Sequence, residues 1–383
     1  MFKRFLVAVL TAALLTVPAS AAGPKRARNV ILFVADAGGI PTLNAASLYG
    51  YQAPLKLHIQ GWPHVGLSDT SPARGFVSDS ASSMTAIITG QKTHNGVISQ
   101  GPEAVRGKQD GRRLKTILEY AEQKGLATGV VTDMPIIDAT PAACYASSND
   151  RGKGADIFPQ AFEPRFGDGV DVLIGAGRPE LEKQLKAAGS SFEALTARHR
   201  RAIHPTLEAA VGERGRMVVV ADRMDVRAAA LRALDELQKS PKGYFLMVEW
   251  DTHTHDPKPG LEKMVAFDKL IAEIQARVKL DDTLLLFTAD HSFALRTRGE
   301  GSDGQILAGY DEWKAAGGLT NQPIRLKSVL VDNSHSGEEV ATIAIGAGAE
   351  RVSGFFPNTR LFHIMLEAWG WKVDVADGNG LSR

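Results

Sequence analysis

The sequence predicts an α/β sandwich built on a mostly parallel sheet, and three observations carry that prediction. Short β-branched and apolar runs alternate along the chain with helix-length segments, the order that strands and crossover helices produce. The runs are apolar throughout, as strands covered on both faces are, rather than alternating with polar residues. Several of them stop abruptly at Asp or His, and open α/β sheets place their chemistry at the carboxyl ends of strands.

In chain order, the first run covers 29–35 and ends in Asp36-Ala37-Gly38-Gly39. A carboxylate in that position suits chemistry, and it equally suits the cap of a following helix. Next comes Asp79-Ser80-Ala81-Ser82, opening a helix over 81–88 that Thr89-Gly90 stops. A serine at a helix mouth lies beside free backbone N–H groups, where an anion is favoured; Asp79-Ser80 reads equally as an N-cap. A helix over 114–124 leads into a buried strand over 127–132. Asp138-Ala139-Thr140-Pro141 follows, with proline suited to the first turn of a helix that carries the chain toward Arg151. Short strands are expected over 171–174, 217–221 and 245–249, the last passing directly into Trp250-Asp251-Thr252-His253-Thr254-His255. The helix over 261–278 sets Leu261, Val265, Asp268 and Ile271 at helical spacing. A strand over 283–288 ends in Ala289-Asp290-His291. Residues 296–330 are rich in glycine and without periodicity, the pattern of a lid or surface insertion. A last strand over 339–345, just after His335-Ser336-Gly337-Glu338, and a last helix over 359–369 follow.

The 383-residue chain is 44% hydrophobic, enough core for one large domain or two ordinary ones. Residues 1–21 stand apart. Lys3 and Arg4 precede an apolar run over 5–17, and Ala19-Ser20-Ala21 offers small residues for cleavage. This is the pattern of a secretory signal, too short for a comfortable membrane span. The expectation is a periplasmic or secreted protein with no membrane anchor, residues 22–383 forming one catalytic domain. Loss of Lys3 and Arg4 turns the formal net charge from +1 to −1, since 1–21 holds no acidic residue. That near-neutral balance argues against nucleic acid as a structural partner. Cys144, the only cysteine, cannot form an internal disulfide and reads as buried apolar filler. Export without disulfides fits a fold held by its core and by metals.

Four strand ends carry ligand-type residues: Asp36, the 249–255 segment, Asp290 with His291, and His335. A single histidine is usually a satisfied core or surface residue; the same types repeated at buried strand ends are hard to explain as structure. Carboxylates and imidazoles mixed, without thiolates, suit zinc, and carboxylate with hydroxyl suits magnesium.

At these residues the sequence resembles the alkaline phosphatase family. The resemblance is carried by Asp36-Ala-Gly-Gly39, Asp79-Ser80-Ala81, Asp138-Ala-Thr-Pro-Ala-Ala, Arg151, Val248-Glu249, Thr288-Ala-Asp-His291 and His335-Ser-Gly-Glu338. It implies a three-layer α/β/α sandwich around a large, mostly parallel sheet. It also implies a metal-dependent phosphomonoesterase that acts on small phosphate monoesters through a phosphoserine intermediate. By the same resemblance Ser80 is the nucleophile, and Arg151 forks onto two phosphate oxygens. Asp36, Asp290 and His291 are implied to hold one zinc, which also contacts Ser80. Asp251, His255 and His335 are implied to hold a second zinc, and Asp36, Thr140 and Glu249 a magnesium. Relatives are often dimers, so a homodimer is a further expectation.

The chain departs from the family pattern in two places. Ala37-Gly38 stands where Gly-Met is usual, and Glu249 and Asp251 are two positions apart where the family normally has five. Asp251 to His255 keeps the family's four-residue step, which favours His255. His253 is its rival, because 249, 251, 253 and 255 share a face in extended chain. The alternatives are a phosphodiesterase or sulfatase of the same superfamily, or a non-catalytic metal- or phosphate-binding relative. Ser80-Ala81-Ser82 lacks the C/S-x-P-x-R motif of the sulfatases, and diesterases usually use threonine and lack a guanidinium fork.

Overall fold

A computed structural model of the protein describes residues 26–213, 215–299 and 305–373; the expected signal over 1–21 lies outside them. The described strands are β1 (Asn29–Asp36), β2 (His64–Asp69), β3 (Ala127–Pro135), β4 (Val172–Ala176), β5 (Ile203–His204), β6 (Met217–Val220), β7 (Tyr244–Asp251), β8 (Thr283–Ala289), β9 (Ser292–Thr297), β10 (Ile324–Arg325), β11 (Val329–Ser336), β12 (Val340–Gly346) and β13 (Gly354–Pro357). Ten of them form one sheet in the order β13-β2-β12-β8-β1-β7-β3-β4-β6-β5. Every described neighbour pair in it is parallel except the two that involve β12. A second sheet of three strands, β10-β11-β9, is antiparallel.

The three layers follow from alternation along β1, whose eight residues are all buried. Val30, Leu32 and Val34 join one core with Met84, Ile87 and Ile88 of the helix Ser80–Thr89, and with the helix Thr359–Trp369. Ile31, Phe33 and Ala35 point the other way, into a core shared with Met264, Phe267 and Ile271 of the helix Pro257–Arg277. Phe33 meets Phe267 edge to face, with ring centroids 6.1 Å apart. Side chains of successive strand residues leave on opposite faces, so one apolar run feeds both cores. Cys144 is buried in the first of them.

The buried strands lie where their apolar runs predict, within a few residues. The helix expected over 114–124 starts instead at Ile117, because Thr116 and Glu119 close a capping box across its first turn. The helix after Asp138 spans only Ala139–Tyr145 and stops short of Arg151. The stretch 296–330 is not patternless: it holds the helix Tyr310–Ala315, β10 and the start of β11. Only Val329-Leu330-Val331 of β11 is apolar, and its residues 332–336 are partly or fully exposed, so no run marks its full length. Among the described residues no helix is long and apolar enough to cross a membrane.

Candidate active site

Strand register assembles the site. β8, β1 and β7 are parallel neighbours, with Ala35 opposite Ala289 and Asp36 opposite Asp251. Adjacent strands lie about 4.8 Å apart, so Asp290, Asp36 and Asp251 emerge side by side at one edge. The chain leaves β1 through Ala37, held at φ 61 with its N–H donating to Asp290 Oδ1 at 3.2 Å. A Cβ on Gly39 would lie 2.0 Å from Ser292 Oγ. Only glycine lets the turn pack so closely on the start of β9.

Ser80 opens its helix at the same edge. Asp79 caps that helix, accepting from Ser82 N–H at 3.0 Å through Oδ1. Its Oδ2 accepts from Gly96 N–H at 2.8 Å and from Arg151 at 3.3 Å. Ser80 is buried, and its Oγ lies 3.4 Å from His291 Nε2. The Arg151 guanidinium also donates to both oxygens of Asp138, at 2.7 and 2.8 Å. Asp138 therefore orients Arg151. The Asp138-Ala-Thr-Pro element was visible in the sequence, but nothing there assigns this task to its first residue.

Among the described residues three overlapping groups could each hold a metal ion, with ligand atoms within 4.8 Å of one another: Asp36/Asp290/His291, Asp36/Asp251/His253 and His253/His291/His335. His335 reaches the site from β11 of the small sheet. Its Nδ1–H donates to the Ser78 carbonyl at 3.0 Å, and its Nε2 lies 3.4 Å from His253 Nε2. On the third side, Glu249 Oε2 accepts from Thr132 Oγ1 at 2.5 Å.

His255 is not brought into this assembly. It is exposed, and its ring centroid is 6.1 Å from that of His253. The reason lies in how β7 ends. Extended pairing stops at Asp251, and Thr252 donates to the Asp36 carbonyl from both N–H and Oγ1, at 3.0 and 2.7 Å. His253 N–H then donates back to Asp251 Oδ1 at 3.1 Å, and His253 Nδ1 sits 2.9 Å from the same oxygen. The chain folds over itself within two residues, so the shared face of an extended segment never forms. The imidazole that the fold brings beside Asp251 and His335 is that of His253, and His255, expected there, is in none of these groups.

Unmet polar atoms mark the interior of the site. Asp36 Oδ1, Asp290 Oδ2, Glu249 Oε1 and Thr140 Oγ1 are buried and make no hydrogen bond among the described residues. Burial, then Asp290 and Asp251, holds the Asp36 carboxyl well above the usual carboxylate range. Burial, then Asp36, does the same for Glu249. Burial pushes the His291 imidazole down to about 4. Asp251 moves the other way: burial opposes its charge, but the hydrogen bond from His253 and the ammonium of Lys263 outweigh it. Buried carboxylates with vacant lone pairs, facing unprotonated imidazole, form a set that a divalent cation would satisfy.

A family model described as alkaline phosphatase matches residues 27–198 and 224–323, more than half of the chain. Alkaline phosphatase 4 of Drosophila melanogaster is 25% identical, over 90% of this chain and 76% of its own. Streptomycin-6-phosphate phosphatase of Streptomyces griseus is 28% identical, over 95% of this chain and 97% of its own. The fold is also that of the solved Thermus thermophilus alkaline phosphatase, with a TM-score of 0.76 at 20% identity, covering 94% of this chain and 97% of that one.

Proposed function

The chain belongs to the alkaline phosphatase family, and on that footing we propose that it is a metal-dependent phosphomonoesterase working through a phosphoserine at Ser80. One observation carries the reading: Ser80 Oγ lies 3.4 Å from His291 Nε2, beside buried oxygens of Asp36 and Asp290 that make no hydrogen bond. Asp36, Asp290 and His291 would hold one cation next to Ser80, and Asp251, His253 and His335 a second. Both sets mix carboxylate and imidazole without thiolate, which suits zinc. Thr140 and Glu249, with Asp36, offer only oxygen and suit magnesium. Bound there, such ions supply Lewis acidity and bring the pKa of a bound water to about 7.

The chain's own groups then have defined tasks. Ser80 Oγ loses its proton to solvent and bonds phosphorus as the ester oxygen leaves, and that leaving oxygen takes a proton from water. Water attacks the phosphoserine in turn, the Ser80–phosphate bond breaks, and Ser80 regains its proton. Arg151, braced from behind by Asp138 and Asp79, keeps its remaining N–H groups for the phosphoryl oxygens. That brace sets the fork before substrate arrives, so little ordering is left to the moment of binding. The same reading includes export, with 1–21 removed and the enzyme periplasmic or secreted.

The test is to quench turnover of a chromogenic monoester and locate the phosphate by mass spectrometry. Label on Ser80, and a loss of at least about 10³-fold in Ser80→Ala, are expected. Label on Ser78, Ser82 or Ser83 would overturn the nucleophile. Turnover of a diester or sulfate ester in preference to the monoester would overturn the substrate class.

A further inference from the structure

Asp251 is the last residue of β7, and the side chain that steadies it comes from another element. Lys263, half-buried on the helix Pro257–Arg277, places Nζ 2.9 Å from Asp251 Oδ2 and 3.1 Å from Asp133 Oδ2. Asp133, near the end of β3, accepts the Asp251 backbone N–H at 2.8 Å through Oδ1. Both the main chain and the side chain of Asp251 are thus tied to one lysine–aspartate pair. We propose that Lys263, braced by Asp133, is a positioning residue that reserves Asp251 Oδ2 and so presents Oδ1 alone to the second cation.

The geometry separates the two oxygens. Oδ1 faces the site, accepting from His253 N–H at 3.1 Å with His253 Nδ1 at 2.9 Å, while Oδ2 turns away to the ammonium. A carboxylate with both oxygens free can swing or chelate through two atoms. One whose outer oxygen is held by a charge-assisted hydrogen bond can do neither. An ammonium beside a cation site would repel the ion, and Asp133 answers that difficulty. Its carboxylate offsets the Lys263 charge, so the pair is neutral and contributes geometry rather than field. The short step from Glu249 to Asp251 gives the arrangement its purpose. With the acid on the final strand residue and the chain folding back at once, no flanking loop is left to support it. Groups that orient metal ligands in this way typically change metal affinity by about 10–100-fold when removed.

The inference rests on the two-cation reading, and the experiment keeps the two apart. Zinc is titrated by chelator competition into the whole protein as wild type, Lys263→Met, Lys263→Arg and the double variant Lys263→Met/Asp133→Asn, with circular dichroism as the control for folding. The expected result is two sites in the wild type. In Lys263→Met one of them is weakened about 10–100-fold, and in Lys263→Arg it is partly restored. The double variant balances the charges again but leaves Oδ2 unheld, so it should remain weakened. Wild-type affinity in Lys263→Met overturns the inference, and so does wild-type affinity in the double variant, which would reduce the lysine to a counter-charge. A wild type that binds no zinc overturns the reading beneath it.

Discussion

Glu122 and Asp36 are both buried acids whose carboxyls are pushed upward by burial, yet the structure treats them in opposite ways. Glu122 sits among Asp168 and Asp171, an acidic group that on composition alone resembles a cation site. Its oxygens are nonetheless supplied: Thr128 Oγ1 donates to one, and the N–H groups of Asp168 and Gly169 to the other, at 3.3 and 3.1 Å. Among the described residues none donates a hydrogen bond to Asp36 Oδ1, Asp290 Oδ2 or Glu249 Oε1, although His291 Nε2 lies 3.4 and 3.5 Å from the first two. Clustered acidity does not separate a structural carboxylate from a functional one; unfilled acceptor capacity does.

Removing bound metal is the strongest way to break that contrast. Chelation should abolish turnover and lower stability by about 3 kcal/mol for each ion that had been present at about a hundred times its dissociation constant. Added zinc should restore both, as read by thermal unfolding alongside activity. An unfolding midpoint indifferent to chelator would place the unfilled carboxylates in the same class as Glu122.

Next in size is the choice between two histidines. His253→Ala should strip one zinc and leave little turnover, whereas His255→Ala should keep its full metal content and activity within about twofold, as exposed substitutions usually do. Elemental analysis of the two purified variants decides it. Zinc lost from His255→Ala alone would mean that the chain does not fold back after Asp251.

The smallest effect belongs to the satisfied carboxylate. Burial lifts Glu122 from 4.5 to about 7, opposed by its hydrogen bond from Thr128. Below about pH 4.5 both folded and unfolded chains hold the proton and the group is silent. As pH rises from 4.5 to 7 the unfolded chain ionises first, so stability falls through that window and stays lower above it. At about 1.4 kcal/mol per unit across about 2.5 units the loss is roughly 3–4 kcal/mol. Glu122→Gln keeps the shape and cannot ionise, so it should gain on the wild type at pH 8 relative to pH 5 by an amount of that order. Urea midpoints at the two pH values measure it, and an equal difference at both would show that Glu122 is not protonated in the fold.

The contrast also explains what the sequence could disclose. β1, β7 and β8 were legible because uninterrupted apolar runs have few other uses, and their terminal Asp36, Asp251 and Asp290 came with them. β2, β11 and β13 were not, since β2 and β11 mix polar and apolar residues as loops do and β13 is only four residues long. His253 against His255 turned on a fold-back made by two hydrogen bonds from Thr252 to the Asp36 carbonyl, a contact 216 positions away in sequence. Asp138, Asp133 and Lys263 act only on residues brought near by folding, and their own surroundings in the chain hold no trace of it. Hydrogen-bond satisfaction, which separates Glu122 from Asp36, is a property of three dimensions alone.

The site draws Asp36 from the first strand of the main sheet and His335 from the separate sheet of β9, β10 and β11. A ribosome releases residues at about 5–20 per second, so the first ligand waits for nearly the whole chain before the last exists. No shorter fragment can assemble the set, and the small sheet must dock before the final imidazole is in reach. On the proposed reading the cation that His335 helps to hold would arrive late in maturation, whereas Asp36, Asp290 and His291 stand complete without the small sheet. Which ion would fill that second place then depends on what is dissolved where folding finishes as well as on the ligands themselves.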